Sequence, residues 1–112
     1  MQRETLIVED LAGPRAGLRI LRLKGPLTIT NLYEFQSKVR SDSSQTLVVD
    51  LTDVPYVDSA GIGSLVGAYV THQKEDRQLF LVGVNDRVRT LMQVTHVEQF
   101  FRIVDSPAAA CA

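Results

Sequence analysis

The segment Thr46-Leu47-Val48-Val49-Asp50-Leu51 constrains the fold more than any other part of this 112-residue chain. It is continuously apolar through its middle, contains adjacent valines and is too short for a helix. A strand with one wet face would alternate, so this one reads as a central strand covered on both faces. Leu79-Phe80-Leu81-Val82 has the same character. Between the two, Ile62, Leu65, Val66 and Tyr69 recur at helical spacing. Buried strand, helix, buried strand implies parallel pairing through a crossover, right-handed by the general rule.

The flanking segments extend this unit. Residues 5–8 form a short β-type run, followed by the turn-rich Gly13-Pro14-Arg15-Ala16-Gly17 and a second strand over 18–23. Their spacing predicts a hairpin, closed off by Gly25-Pro26 because proline cannot donate to a ladder. Asn31 reads as a helix N-cap with Glu34 completing a capping box, and Leu32, Phe35 and Val39 would face the core. Ser41-Asp42-Ser43-Ser44 is a polar stop. Asn85 can cap a short helix with Val88, Leu91 and Met92 inward, and Ile103-Val104 is a last strand or the edge of a small terminal helix. The expected fold is α/β: one domain over 1–106, a mixed sheet of four to five strands with helices packed on it, and a frayed tail over 107–112.

Composition then narrows function. Twelve Lys and Arg against thirteen Asp and Glu give a net charge of -1, without the basic footprint of a nucleic-acid binder. One thiol, Cys111, and two imidazoles, His72 and His96, make neither an internal disulfide nor a structural zinc site. No stretch approaches the ~20 apolar residues of a membrane helix. Met1-Gln2-Arg3-Glu4-Thr5 carries an acid where a signal peptide is basic, and Leu6-Ile7-Val8 is too short for its core. The expected location is the cytoplasm.

The most informative residues are Asp58-Ser59-Ala60-Gly61-Ile62-Gly63, between a predicted strand and a helix. If the helix begins near Ala60, Ser59 stands at its positive end, where a phosphate would gain backbone donors while Asp58 repels it. Asp and Ser are also common caps, and the local pattern by itself favours capping for Ser59. Gly61 and Gly63 weaken the helix by ~1 kcal/mol each relative to Ala, which points to close backbone approach by the sheet or a partner.

Asp58 to Gly63, with Val57 before it, resembles the Asp-Ser-(Ser/Thr/Ala)-Gly-(Leu/Ile)-Gly signature of STAS domains, the sulfate-transporter and anti-sigma-factor-antagonist family. The similarity runs from about the second strand to Val104, through Leu47 to Leu51, Val54, Leu79 to Val84 and the helix of Val88, Leu91 and Met92. In bacterial antagonists of this family the serine after the aspartate is phosphorylated by an anti-sigma factor serine kinase; the matching position is Ser59. The resemblance implies that the unphosphorylated form binds that kinase and frees the sigma factor, that a phosphatase restores it, and that transcription is regulated indirectly. Asp58, Ser59, Ala60, Gly61, Ile62 and Gly63 would form the partner surface, joined by the loop from Gly25 to Thr28. That loop departs from the family: Gly25-Pro26-Leu27-Thr28 stands where antagonists usually carry Gly-Glu-(Leu/Ile)-Asp, and both acids are absent. Cytoplasmic STAS subunits of lipid-exporting ABC transporters, or of sensory assemblies, are the alternative the resemblance leaves open.

Enzymatic readings find less support. Ser59 as a nucleophile needs a base within hydrogen-bond reach, and His72 lies ~20 Å further along the same helix at 1.5 Å per residue. Both histidines are expected in surface or ordinary polar roles. Glu9-Asp10 after a strand suggests a receiver domain, but Gly13, Pro14 and Gly17 interrupt the helix such a domain needs, so the pair reads as solvated edge residues. Asp50, Asp53 and Asp58 match no metal-loop spacing, and no Gly-rich loop followed by Lys is present. The chain is therefore expected to need no cofactor and to act without catalysis, with the strand at 5–8 as a pairing edge for a homo-oligomer.

Overall fold

In the computed structural model, which describes residues 5–111, the apolar hexapeptide lies in the middle strand of a five-stranded sheet. The strands are β1 (Ile7–Ala12), β2 (Leu18–Lys24), β3 (Thr46–Asp53), β4 (Gln78–Val82) and β5 (Arg102–Val104), and their spatial order is their chain order. β1 and β2 form the predicted antiparallel hairpin; β2, β3, β4 and β5 run parallel, with Ile20, Val48, Phe80 and Arg102 in register across the four. Each parallel step is a crossover: α1 (Tyr33–Ser41), α2 (Ser59–Lys74), then α3 (Asp86–Val94) with a 3-10 turn at Glu98–Phe100.

Alternation of side chains decides what covers each face. Leu21, Leu23, Leu47, Val49, Leu51, Leu79 and Leu81 join Phe35, Val39, Ile62, Leu65, Val88 and Met92 in one core, so all three helices pack on the same side. Leu18, Ile20, Val48, Phe80 and Val82 form a second core with Ala110. The continuous apolar reading of β3 thus holds, but its second face is covered without an α-helix. Residues Pro107–Cys111, expected to fray, form a 3-10 helix instead. The physical reason is that Ala110, 4% exposed, is needed over Val48 and its neighbours. Met1 to Glu4, read above against a signal peptide, the Cys111 thiol and Ala112 lie outside the described residues.

Two local expectations change. Asn31 does not cap α1; its Oδ1 accepts from the Thr28 backbone N–H at 2.8 Å and its Nδ2 donates to the Pro26 carbonyl at 2.7 Å, closing the preceding turn. The helix starts after Leu32, which provides no side-chain cap, so the capping box with Glu34 does not form. Asn85 behaves as expected, accepting from Val88 N–H at 2.8 Å.

His72, expected in a surface or ordinary polar role, is 1% exposed. Its Nδ1 donates to the Ala68 carbonyl at 2.8 Å, leaving a neutral ring with Nε2 as acceptor. Burial lowers its pKa; the Ala68 bond opposes this, Arg77 lowers it further, and Asp42 and Glu75 raise it. Because the folded pKa lies below the unfolded value of 6.5, the unfolded chain takes up the proton first as the solution is acidified. Stability is therefore full above that value and falls as pH drops from it toward the folded pKa. Denaturation between about pH 7 and about pH 5, above the carboxylate range, is expected to show this loss in wild type and a flatter profile in His72→Leu.

Candidate functional site

The junction between β3 and α2 is built by Asp58. Its backbone is extended, and its Oδ1 accepts from Gly61 N–H at 2.8 Å, which makes it the N-cap of α2. Ser59 is therefore the first helical residue. The capping role that the local pattern favours for Ser59 falls to the residue before it, because the Asp58 carboxylate reaches the third helical N–H and leaves the serine outside that bond. The helix begins at Ser59 rather than Ala60.

The other carboxylate oxygen of Asp58 reaches across to the first crossover. Its Oδ2 accepts from Ile29 N–H at 3.0 Å. The same two segments are joined by a parallel bridge between Leu27 and Val57, by Leu27 N–H to Tyr56 O at 3.2 Å and by Asp58 N–H to Leu27 O at 3.2 Å. One carboxylate thus sets the start of α2 and the position of the loop before α1. Both oxygens are engaged by backbone donors, one from each segment.

Gly61 and Gly63 separate here. A Cβ on Gly61 would lie 2.2 Å from the Leu27 carbonyl oxygen, whereas one on Gly63 would meet nothing within 4 Å. The first is a packing requirement of the fold; the second faces open space in the cleft between α1 and α2. Ser59 and Gly63 are exposed, Ala60 is half-buried, and Gly61 and Ile62 are buried. Of the six motif residues, then, Ser59 and Gly63 present the most open surface, with Asp58 half-buried beside them.

Of the loop residues, Thr28 comes to the site and Gly25 does not. Thr28 immediately precedes Ile29, the Asp58 partner, and its Oγ1 lies 3.0 Å from Thr30 Oγ1. Gly25 instead donates to Asp53 O at 3.0 Å, at φ +110°, where an added Cβ would fall 2.2 Å from Thr5 O. It is a turn residue at the end of β2. Two residues that sequence reasoning missed are Ile29 and Tyr33, 69% and 73% exposed. Ile29 puts apolar surface beside Asp58, Tyr33 opens α1 four residues further on, and only their unused hydrophobicity at the turn into α1 could have signalled them. Tyr56 lies under the Arg87 guanidinium, 4.7 Å from the ring centre, while Tyr69 packs on Phe100 and Phe101. The described residues contain no group of three or more metal-ligating side chains, and none of their helices is long and apolar enough to cross a membrane.

The glycine geometry predicts opposite outcomes for the same substitution. Gly61→Ala should destabilise by about 1–3 kcal/mol, the usual cost of forcing extra volume into a packed site. Gly63→Ala should stabilise by up to about 1 kcal/mol through helix propensity. Urea denaturation of the two variants checks both.

Comparison with known proteins gives a consistent result. The family model described as the STAS domain matches residues 13–110. The anti-sigma-B factor antagonist of Staphylococcus aureus is 30% identical over 76 residues, covering 68% of this chain and 70% of that protein. An anti-sigma factor antagonist from Mycobacterium paratuberculosis superposes with a TM-score of 0.81 at 18% identity, over 95% of this chain and 91% of the other. The Bacillus cell fate determinant SpoIIAA in its phosphorylated form gives 0.73 at 14% identity, over 94% and 97%. With its signature turn, its strand order and this match over most of its length, the chain belongs to the STAS domain family.

Proposed function

We propose that this chain is an anti-sigma factor antagonist whose binding to an anti-sigma factor serine kinase is switched by phosphorylation of Ser59. The carrying observation is the division of labour at the turn: Asp58 holds both backbone segments, while Ser59 stands exposed at the first position of α2. Its hydroxyl is free of the capping duty, so modification need not dismantle the helix start.

In the transfer, Ser59 Oγ attacks the γ-phosphorus of ATP held by the kinase. The bond to ADP breaks, and the hydroxyl proton passes to the kinase. The product carries roughly -1.5 to -2 additional charge on a chain whose net charge is -1. Helix N–H donors favour the new group and the Asp58 carboxylate opposes it. The dominant change is therefore in the electrostatics of the surface: a partner docked over Ser59, Gly63, Thr28 and Ile29 is displaced while the fold persists. The unphosphorylated chain holds the kinase and releases the sigma factor in the cytoplasm, and a phosphatase restores it. This chain supplies no nucleotide site and no catalysis.

Incubation with the cognate kinase and ATP is expected to add one phosphate by intact-mass measurement, and none to Ser59→Ala. Equal transfer to both proteins, or transfer to neither, overturns the assignment. Ser59→Asp is expected to weaken kinase binding at least tenfold in a pull-down or calorimetric titration. Its melting temperature should stay within about 2 °C of wild type, because an exposed substitution typically changes stability by no more than about 0.5 kcal/mol.

A further inference from the structure

The turn that Asp58 holds is unusual in composition. Residues 26–33 contain no charged side chain, yet Ile29 and Tyr33 within them are the most exposed large apolar side chains among the described residues. A single exposed apolar residue is ordinary, but Ile29 stands where folding has no use for it. Asn31 N–H donates to Thr28 O at 3.1 Å, which makes 28–31 a β-turn with Ile29 at its second position. Pro, Gly, Asn, Asp and Ser favour turns for conformational reasons that a β-branched side chain does not share. The backbone there is nonetheless fixed. Ile29 N–H donates to Asp58 Oδ2 at 3.0 Å, Thr28 N–H to Asn31 Oδ1 at 2.8 Å and Asn31 Nδ2 to the Pro26 carbonyl at 2.7 Å. An apolar side chain held out in water on a fixed turn adds little to folding, and little backbone freedom is lost when a partner buries it.

Tyr33 extends the same surface from the other direction. Gln36 and Arg40, three and seven residues later and so on its face of α1, line a cleft of about 200 Å³ together with Gly63 of α2. Gly63 lies about one helical turn beyond Ser59. Ile29, through its bond to Asp58, and Tyr33, at the head of this cleft, therefore both border the surface that Ser59 and Gly63 present.

We infer that the anti-sigma factor serine kinase receives Ile29 and Tyr33 in an uncharged apolar pocket, and that these two side chains anchor the complex and select the partner. This rests on the reading of the chain as that kinase's partner; the chemistry of the pocket follows from residues 26–33, which offer apolar surface and no ion pair. Anchor and switch are then separate: burial at 29 and 33 supplies affinity, and charge at 59 removes it.

The test is a calorimetric titration of the whole chain and its variants with the kinase of the Ser59 assay. Ile29→Ala and Tyr33→Ala are each expected to weaken binding about tenfold or more, whereas Ile29→Leu stays within about threefold of wild type. Ile29→Asp and Ile29→Lys should both lose about a hundredfold, because an uncharged pocket rejects either sign. All five variants should melt within about 2 °C of wild type, since both positions are exposed. Wild-type affinity in either alanine variant, with Ser59→Asp still weakened, overturns the anchors and leaves the switch standing. Wild-type affinity in Ile29→Asp or Ile29→Lys overturns the uncharged pocket. Weakening in the alanine variants with none in Ser59→Asp upholds the anchors and overturns the switch. A wild-type chain that does not bind the kinase overturns both.

Discussion

The Asp58 carboxylate joins two parts of the chain that are distant in sequence. One oxygen takes the Gly61 N–H at the start of α2 and the other takes the Ile29 N–H ahead of α1. The adjoining approach of Gly61 to the Leu27 carbonyl is close enough that no side chain fits between them. The first and second crossovers are therefore locked at one corner of the sheet, at the C-terminal end of β3. Parallel sheets commonly carry their sites at such ends. The anchoring carboxylate and the exposed hydroxyl belong to adjacent residues, so in the proposed switch a phosphate on Ser59 would leave the anchoring bonds in place.

α2 carries this corner and a second one. Its N-terminal turn is held by Asp58; its C-terminal turn is held by the packing of His72 and by Arg77, whose Nη1 donates to the Asp42 and Ser44 carbonyls at 3.0 and 3.1 Å. Arg77 thereby ties the end of the second crossover to the loop between α1 and β3. The two ends differ in polarity and in burial. The first exposes Ser59 and Gly63 beside Ile29, and the second borders a cavity that is partly open to solvent and has an aromatic wall.

Local pattern accounted for much of this. The apolar runs at β3 and β4 carried their own evidence of burial, the hairpin followed from turn chemistry, and Asn85 capped α3 as its position implied. The errors occurred where one polar side chain had more than one backbone group within reach. Asn31 was diverted from α1 to the 28–31 turn, since both its amide groups found partners there. Capping passed from Ser59 to Asp58 for a related reason: the longer carboxylate could serve two donors at once. For His72 a surface role and an ordinary polar one stayed open, because nothing in its neighbours shows that the last turns of α2 are buried; the structure decides for a buried ring bonded to the Ala68 carbonyl.

Sequence by itself determined the order of elements, the buried strands and the turn at 58–63, because hydrophobic spacing and turn residues act over a few positions. Tertiary structure alone decided the rest: that Gly61 is required and Gly63 is not, that Gly25 ties the end of β2 to Asp53, and that Ile29 comes to Asp58. It also decided that the C-terminal residues cover the back of the sheet. Each of these depends on which distant backbone or side chain arrives within a few ångströms, and contact between segments far apart in the chain leaves no periodic mark on either one.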